Sequence, residues 1–296
     1  MALNQGWTYR DRISQVRPGE TVLDYYTQRY SHSTREQWCD RILSGEIQVN
    51  GQTVPPATLL KKSDRLTYDR PPWEEPDVPL RFEVLHEDAD LLVIAKPSGL
   101  PVMPGGGFLN HTLLRLLERT YPGEAIVPIH RLGRGTSGLM ILARSPLAKS
   151  HLTRQMRDRQ IQKIYLAIAS GVIEPDFMTI ETPIGKVPHS TLGTVFAAAE
   201  TGFDAKSELT VLERRSMETL AQVEIFTGRP HQIRIHLAAI GHPLVGDPLY
   251  GVGGQPMVAA NPEESPVPGD LGYWLHAHRV GFFHPRSAQW LTFTHR

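Results

Sequence analysis

The sequence predicts an α+β protein in two parts, and three observations carry that prediction. A proline-dense break near residues 70–80 separates a short segment of helices and one hairpin from a long remainder. In the remainder, apolar runs of strand length recur and stay far below the ~20 residues a bilayer span needs. Helices and hairpins fall irregularly between those runs, which is the rhythm of a mixed, mostly antiparallel sheet. The 296 residues, 40% hydrophobic and 21% charged, suffice for two globular domains.

Taken in order, 21–44 reads as helical, with Val22, Tyr25, Tyr26, Trp38, Ile42 and Leu43 at helical spacing. Ile47-Gln48-Val49 then runs into Asn50-Gly51, a strong hairpin signal. These elements form a small module over 1–70, and 71–79 is a linker whose prolines disfavour both helix and paired strand. From residue 80 onward lies the large domain. Leu91–Ala95 is a buried strand entering a Lys96-Pro97-Ser98-Gly99 turn, and Asn110 is the expected cap of a helix over 112–121. Leu139–Ala143 is a second buried strand, and Ser145-Pro146 opens a helix carrying Ala148, Leu152 and Met156 on one stripe. Ile164, Leu166 and Ile168 alternate with Lys163, Tyr165 and Ala167, giving one strand two distinct faces. Val223 and Ile225 end a strand at Gly228-Arg229-Pro230, a helix starts at His231, and 251–272 is a surface loop.

The overall charge of zero predicts no partner, but the charge is segregated. From His130 to Tyr165 the chain carries Arg131, Arg134, Arg144, Lys149, Arg154, Arg157, Arg159 and Lys163 against Asp158 alone. Residues 71–90 hold seven acids and one arginine. Such polarity suits a polyanion-facing surface and an opposite surface that avoids it, although a solvated helix face would look the same in sequence. One cysteine, Cys39, excludes an internal disulfide and fits a reducing compartment; with no apolar leader, the expected location is cytoplasmic, or organellar for a chain seen without its transit peptide.

Two segments concentrate chemistry. His130-Arg131-Leu132-Gly133-Arg134-Gly135-Thr136-Ser137-Gly138 sets three glycines, two hydroxyls, a histidine and two arginines between apolar stretches. Glycines permit close backbone approach and arginines bring fixed positive charge, so the loop suits a phosphate-bearing ligand or a plain tight connection. Thr227-Gly228-Arg229-Pro230-His231-Gln232-Ile233-Arg234 delivers His231 and Arg234 to one face at a helix start. His231, His236, His276 and His278 lack the spacing of a metal site, and none is expected.

These segments carry a family resemblance. HRLGRGTSGLMILAR resembles the HRLD-R-x-TSG signature of RluA-type RNA pseudouridine synthases. VLHEDADLLVIAKPSGLPV, QKIYLAIASG, FTGRPHQIRIHLAAIGHPLVGDPLYG and LHAHRVGFFHP are similar, in register, to further blocks of that family across 80–296. Residues 21–70 resemble the small RNA-binding module often fused ahead of it. The resemblance implies a pseudouridine-synthase fold and isomerisation of a uridine in structured RNA, ribosomal or transfer, without cofactor or metal. It implies a uracil flipped against Tyr165, with catalytic positions at Gly133, Tyr165 and Arg234. His130, Arg131, Arg134, Thr136, Ser137, Gly138, Arg154, Arg157, Lys163, Arg229 and His231 are the expected RNA contacts. One departure stands out: the family's catalytic aspartate falls at Gly133. Arg234, which would pair with it, then needs another anion nearby or exposure to solvent. Asp158, Asp204 and Asp247 are the candidate acids, Asp247 standing where the family carries an acid anyway and so reading as structural. A second reading follows from that departure, an RNA-binding protein without isomerase chemistry.

Overall fold

The computed structural model describes residues 3–30, 33–190, 192–258 and 266–296, so part of the predicted 251–272 loop lies outside the described residues. The chain divides into two compact units, Met1–Glu75 with a short stretch at 191–193, and Pro76–Ser190 with Thr194–Arg296.

The first unit holds β1 (Trp7–Arg12), α1 (Val22–Arg29), α2 (Arg35–Leu43), β2 (Ile47–Val49), β3 (Gln52–Thr53) and β4 (Arg65–Arg70). Its antiparallel sheet runs β1-β4-β2-β3. The helical stretch over 21–44 consists of two helices, α1 and α2. Thr34 and Gln37 form a capping box that starts α2 afresh, just as Thr21 and Asp24 start α1. Asn50 (φ 54°) and Gly51 (φ 79°) make the tight turn between β2 and β3, where both residues sit in the left-handed region. Val22, Tyr26, Trp38, Ile42, Ile47 and Leu66 bury a separate small core.

The remainder supplies β5 (Glu83–Glu87), β6 (Leu91–Lys96), α3 (Leu113–Thr120), β7 (Val127–Pro128), β8 (Ser137–Ala143), α4 (Pro146–Arg157) and β9 (Gln162–Ser170). It continues with β10 (Phe177–Ile180), β11 (Ile184–His189), β12 (Gly193–Ala198), β13 (Ser207–Arg214), β14 (Glu218–Ile225), α5 (Gln232–Ala239), β15 (Leu275–Phe283) and β16 (Trp290–Thr294). The large sheet runs β10-β13-β14-β9-β15-β8-β6-β5, with β16 on β15 and β7 on β8. Only β15 and β8 pair in parallel among the described strands, so the sheet is mixed and mostly antiparallel and the fold is α+β. Leu91, Val93, Leu139 and Ile141 bury one face against Ala148 and Leu152 of α4, while Leu92, Ile94, Met140 and Leu142 face the main core. A strand buried on both faces is why 91–95 and 139–143 read as unbroken apolar runs. Thr112, not Asn110, caps α3: its hydroxyl accepts from the Arg115 amide two residues beyond the expected position.

Candidate functional site

The loop before β8, the turn from β14 into α5, the segment ahead of β15 and the start of β9 converge on one cavity of about 790 Å³. His130, Arg131, Gly133, Arg134, Thr136, Arg157, Lys163, Tyr165, Arg229, His231 and Arg234 all line it, so most residues expected at the site are brought together. Pro101 to Pro104, Met156, Arg159, Ile225, Gln232, Tyr273 and Leu275 complete much of its wall. Not one aspartate or glutamate stands among the described lining residues.

Three residues expected at the site lie elsewhere. Ser137 is turned to His276, 2.9 Å from Nδ1. Gly138 (φ 103°) sits where an added Cβ would be 2.3 Å from the Ala277 carbonyl oxygen, so its role is to let β8 and β15 pair closely. Arg154 is exposed on α4 beside His151 and does not reach the cavity. In each case the motif is real, but half of it serves sheet closure and helix surface.

Arg234 is the most constrained residue of the site. It is 2% exposed, and its Nε and Nη2 each donate to Asp247 at 2.7 Å, with Nη1 donating to the Pro268 carbonyl at 3.2 Å. Burial works to lower its pKa, but the Asp247 hydrogen bonds and charge outweigh that and leave it raised. Asp247 is therefore the anion that pairs with Arg234 here. It is fully committed: Oδ1 also accepts from the amides of Leu249 and Tyr250. Asp158 instead pairs with Arg157 on the surface, and Asp204 offers Arg229 only its backbone carbonyl.

The imidazoles are held neutral. Burial, with the nearby Lys163 charge, lowers His130 to about 4, and its Nε2 accepts from the Ile141 amide. Burial and the Arg234 charge, partly opposed by Asp247, lower His231 to about 4. His231 stands at the N-terminal boundary of α5 with φ 56°, an uncommon conformation for a side chain-bearing residue. Tyr250 donates its proton to the Phe196 carbonyl, so its oxygen accepts from His231 Nδ1 and leaves Nε2 the acceptor. Gln232 fixes the turn: it accepts from Thr227 Oγ1 and the Arg229 amide and donates to the Lys206 carbonyl and Ser207. Tyr165 is buried and its hydroxyl is pushed up to about 12 by burial, while burial also lowers Lys163. The cavity thus offers neutral rings inside and fixed guanidinium charge around them.

Two side chains were not foreseen. Lys96, 1% exposed, donates to the carbonyls of Pro97, Leu100 and Arg134, at 2.8, 2.8 and 3.2 Å. With the bonds from the Gly99 amide to Arg134 and from Ser98 to Gly135, it ties the Lys-Pro turn to the Gly133 loop. Burial, with the Arg134 charge, brings its pKa down to about 7. The other is Tyr273, whose ring covers the Arg234 guanidinium at 4.2 Å and whose hydroxyl lies 3.3 Å from Thr136 Oγ1. It stands in a loop without periodicity, so the sequence carried no signal for it.

Among the described residues, Asp88, Asp90 and His284 bring three potential metal-ligating atoms together, outside the cavity. Arg286 already binds Asp90 through two bonds, and Asp88 accepts two backbone amides, so that corner is accounted for by hydrogen bonding.

With this geometry in place, comparison decides the family. The model of the RNA pseudouridylate synthase family matches residues 90–239, which span the Gly133 loop, β9 and α5. The chain belongs to that family of isomerases. An uncharacterized RNA pseudouridine synthase of Synechocystis is 47% identical over 92% of each chain. RNA pseudouridine synthase 5 of Arabidopsis thaliana is 41% identical over 94% of this chain and 89% of its own. The ribosomal large subunit pseudouridine synthase D of Vibrio parahaemolyticus is 35% identical over 97% and 89%. In fold, the chain is similar to human RNA pseudouridylate synthase domain containing 1, with a TM-score of 0.58 over 75% of this chain and 86% of that one. No described helix is long and apolar enough to cross a membrane.

Proposed function

We propose that the protein is an RNA pseudouridine synthase that takes a uridine out of structured RNA into the cavity beside Tyr165 and returns it as pseudouridine. The observation that carries this reading is the cavity itself: about 790 Å³, neutral within, with Arg131, Arg134, Arg157, Arg159 and Arg229 in its wall and no described acid. That pattern suits a flipped base inside and phosphates around it. Tyr165 is the platform for the uracil, Arg234 with Asp247 is the rigid post that holds the α5 turn, and the remaining arginines take the backbone. Neither cofactor nor metal enters this reading. The fold of residues 1–70 adds a second RNA-facing surface: Arg12 and Arg65 stand opposite each other on β1 and β4, with Arg10 on the same face. The Vibrio relative's name favours ribosomal over transfer RNA, and the cytoplasm is the compartment we assign.

One observation favours a second reading, an RNA binder without isomerase chemistry: residue 133 is glycine and no described carboxylate lines the cavity. Mapping pseudouridine in cellular RNA separates the two. A deletion strain should lack at least one pseudouridine, regain it with the wild-type chain and not with Tyr165→Ala. Identical maps in all three strains would refute the synthase reading.

A further inference from the structure

The space that a side chain at residue 133 would occupy is filled. A Cβ built on Gly133 would lie 2.8 Å from Tyr273 Oη and 3.4 Å from Thr136 Oγ1. A Cβ on Gly135 would lie 2.8 Å from Tyr273 Cζ and 2.9 Å from Cε1. Neither glycine has a positive φ, so the backbone does not demand glycine at either position. What demands it is the Tyr273 ring. It lies across both glycines, is 5% exposed, and packs over Arg234, which in turn is locked to Asp247. The two glycines and the tyrosine are one steric unit, since restoring either side chain displaces the third partner.

Four hydroxyls stand in the described lining: Thr227 donates to Gln232, those of Thr136 and Tyr273 lie 3.3 Å apart, and Tyr165 is the fourth. Tyr273 is the one whose oxygen lies where a side chain at residue 133 would begin, at a point of the wall where no described carboxylate stands.

We propose that Tyr273 is a catalytic residue of this protein: its hydroxyl contacts the ribose of the uridine turned into the cavity and holds the sugar while the base detaches and rejoins. This rests on the synthase reading. In that isomerisation the bond from C1′ to N1 breaks, the bond from C1′ to C5 forms, and the C5 hydrogen leaves as a proton while N1 gains one. Tyr273 takes up no electrons and forms no bond to carbon; it donates one hydrogen bond to a sugar oxygen.

The test is Tyr273→Phe, which keeps the ring over Arg234 and removes only the hydroxyl. Purified full-length protein in excess is mixed with RNA from a deletion strain grown on [5-³H]uridine, and tritium released to water is counted in a single turnover. We expect the rate to fall about ten-fold, the worth of one hydrogen bond, with RNA affinity within two-fold of wild type and an unchanged Tm. Tyr273→Leu, which also removes the ring, should lower the Tm. Release by Tyr273→Phe at the wild-type rate would overturn the proposal while leaving the synthase reading standing. A Tm for Tyr273→Phe as low as that of Tyr273→Leu would also overturn it, by making the hydroxyl structural. No release by the wild type itself would overturn the synthase reading and this proposal with it.

Discussion

Gly133→Asp would supply the missing carboxylate, and the structure says what it would cost. Gly133 is not in the left-handed region, so aspartate meets no backbone strain there. Its Cβ would meet Tyr273 Oη at 2.8 Å, closer than packed atoms tolerate, and Tyr273 has little room to yield because it is buried over Arg234. Overpacking of this kind costs about 1–3 kcal/mol. In a unit of this size that is a fall in Tm of roughly 2–12 °C. Tyr273→Ala alone empties an aromatic site and costs about 3–5 kcal/mol. Combined with Gly133→Asp, however, the overpacking disappears, so the double variant should be more stable than the sum of the single costs by about 1–3 kcal/mol. Chemical denaturation of the four proteins measures this directly. Costs that add to within about 0.5 kcal/mol would show that Tyr273 does not fill the place of a residue 133 side chain.

Other perturbations have equally definite outcomes. Asp247→Ala leaves Arg234 buried without its carboxylate and should cost about 3–5 kcal/mol, whereas Arg234→Met with Asp247→Leu should cost clearly less, both read by denaturant unfolding. Neutralising Arg157, Arg159 and Arg229 together should weaken RNA binding and flatten its salt dependence, by roughly 0.7–0.9 in log–log slope for each phosphate no longer neutralised; an unchanged slope would place the RNA elsewhere. Acid should destabilise the fold through its buried imidazoles. His130 and His231 are at about 4 in the folded state against 6.5 for free histidine, so the unfolded chain binds more protons between those values and stability falls as pH drops through that window. His130→Gln should lessen that fall in urea titrations at pH 7 and pH 5.

Much of this was legible in the sequence, and what was not has physical reasons. Apolar runs located β6 and β8 because strands buried on both faces have no choice but to be apolar. Period-two alternation gave β9 two faces with Tyr165 and Lys163 together on one of them, but only the structure shows that face to be the more buried. The helical pattern over 21–44 was legible as helices, and the Thr34 capping box fixes where the second one starts. Within the Gly133 motif, local sequence could not tell Gly133, which lines the cavity, from Gly138, whose need is the Ala277 backbone of a strand almost 140 residues on. Asp247 was among the candidate acids, but pairing it with Arg234 required the fold to bring the α5 helix and the loop after it together. Tyr273 was invisible because a lone aromatic in a loop has no periodicity to announce it.

The most direct measurement is the pseudouridine content of RNA taken from a deletion strain and incubated with the purified protein, read by mass spectrometry. The account predicts new pseudouridine at discrete positions with the wild type and none with Tyr165→Ala. RNA bound at discrete positions by the wild type with its uridines unchanged would contradict it, and would leave a cavity that holds RNA without isomerising it.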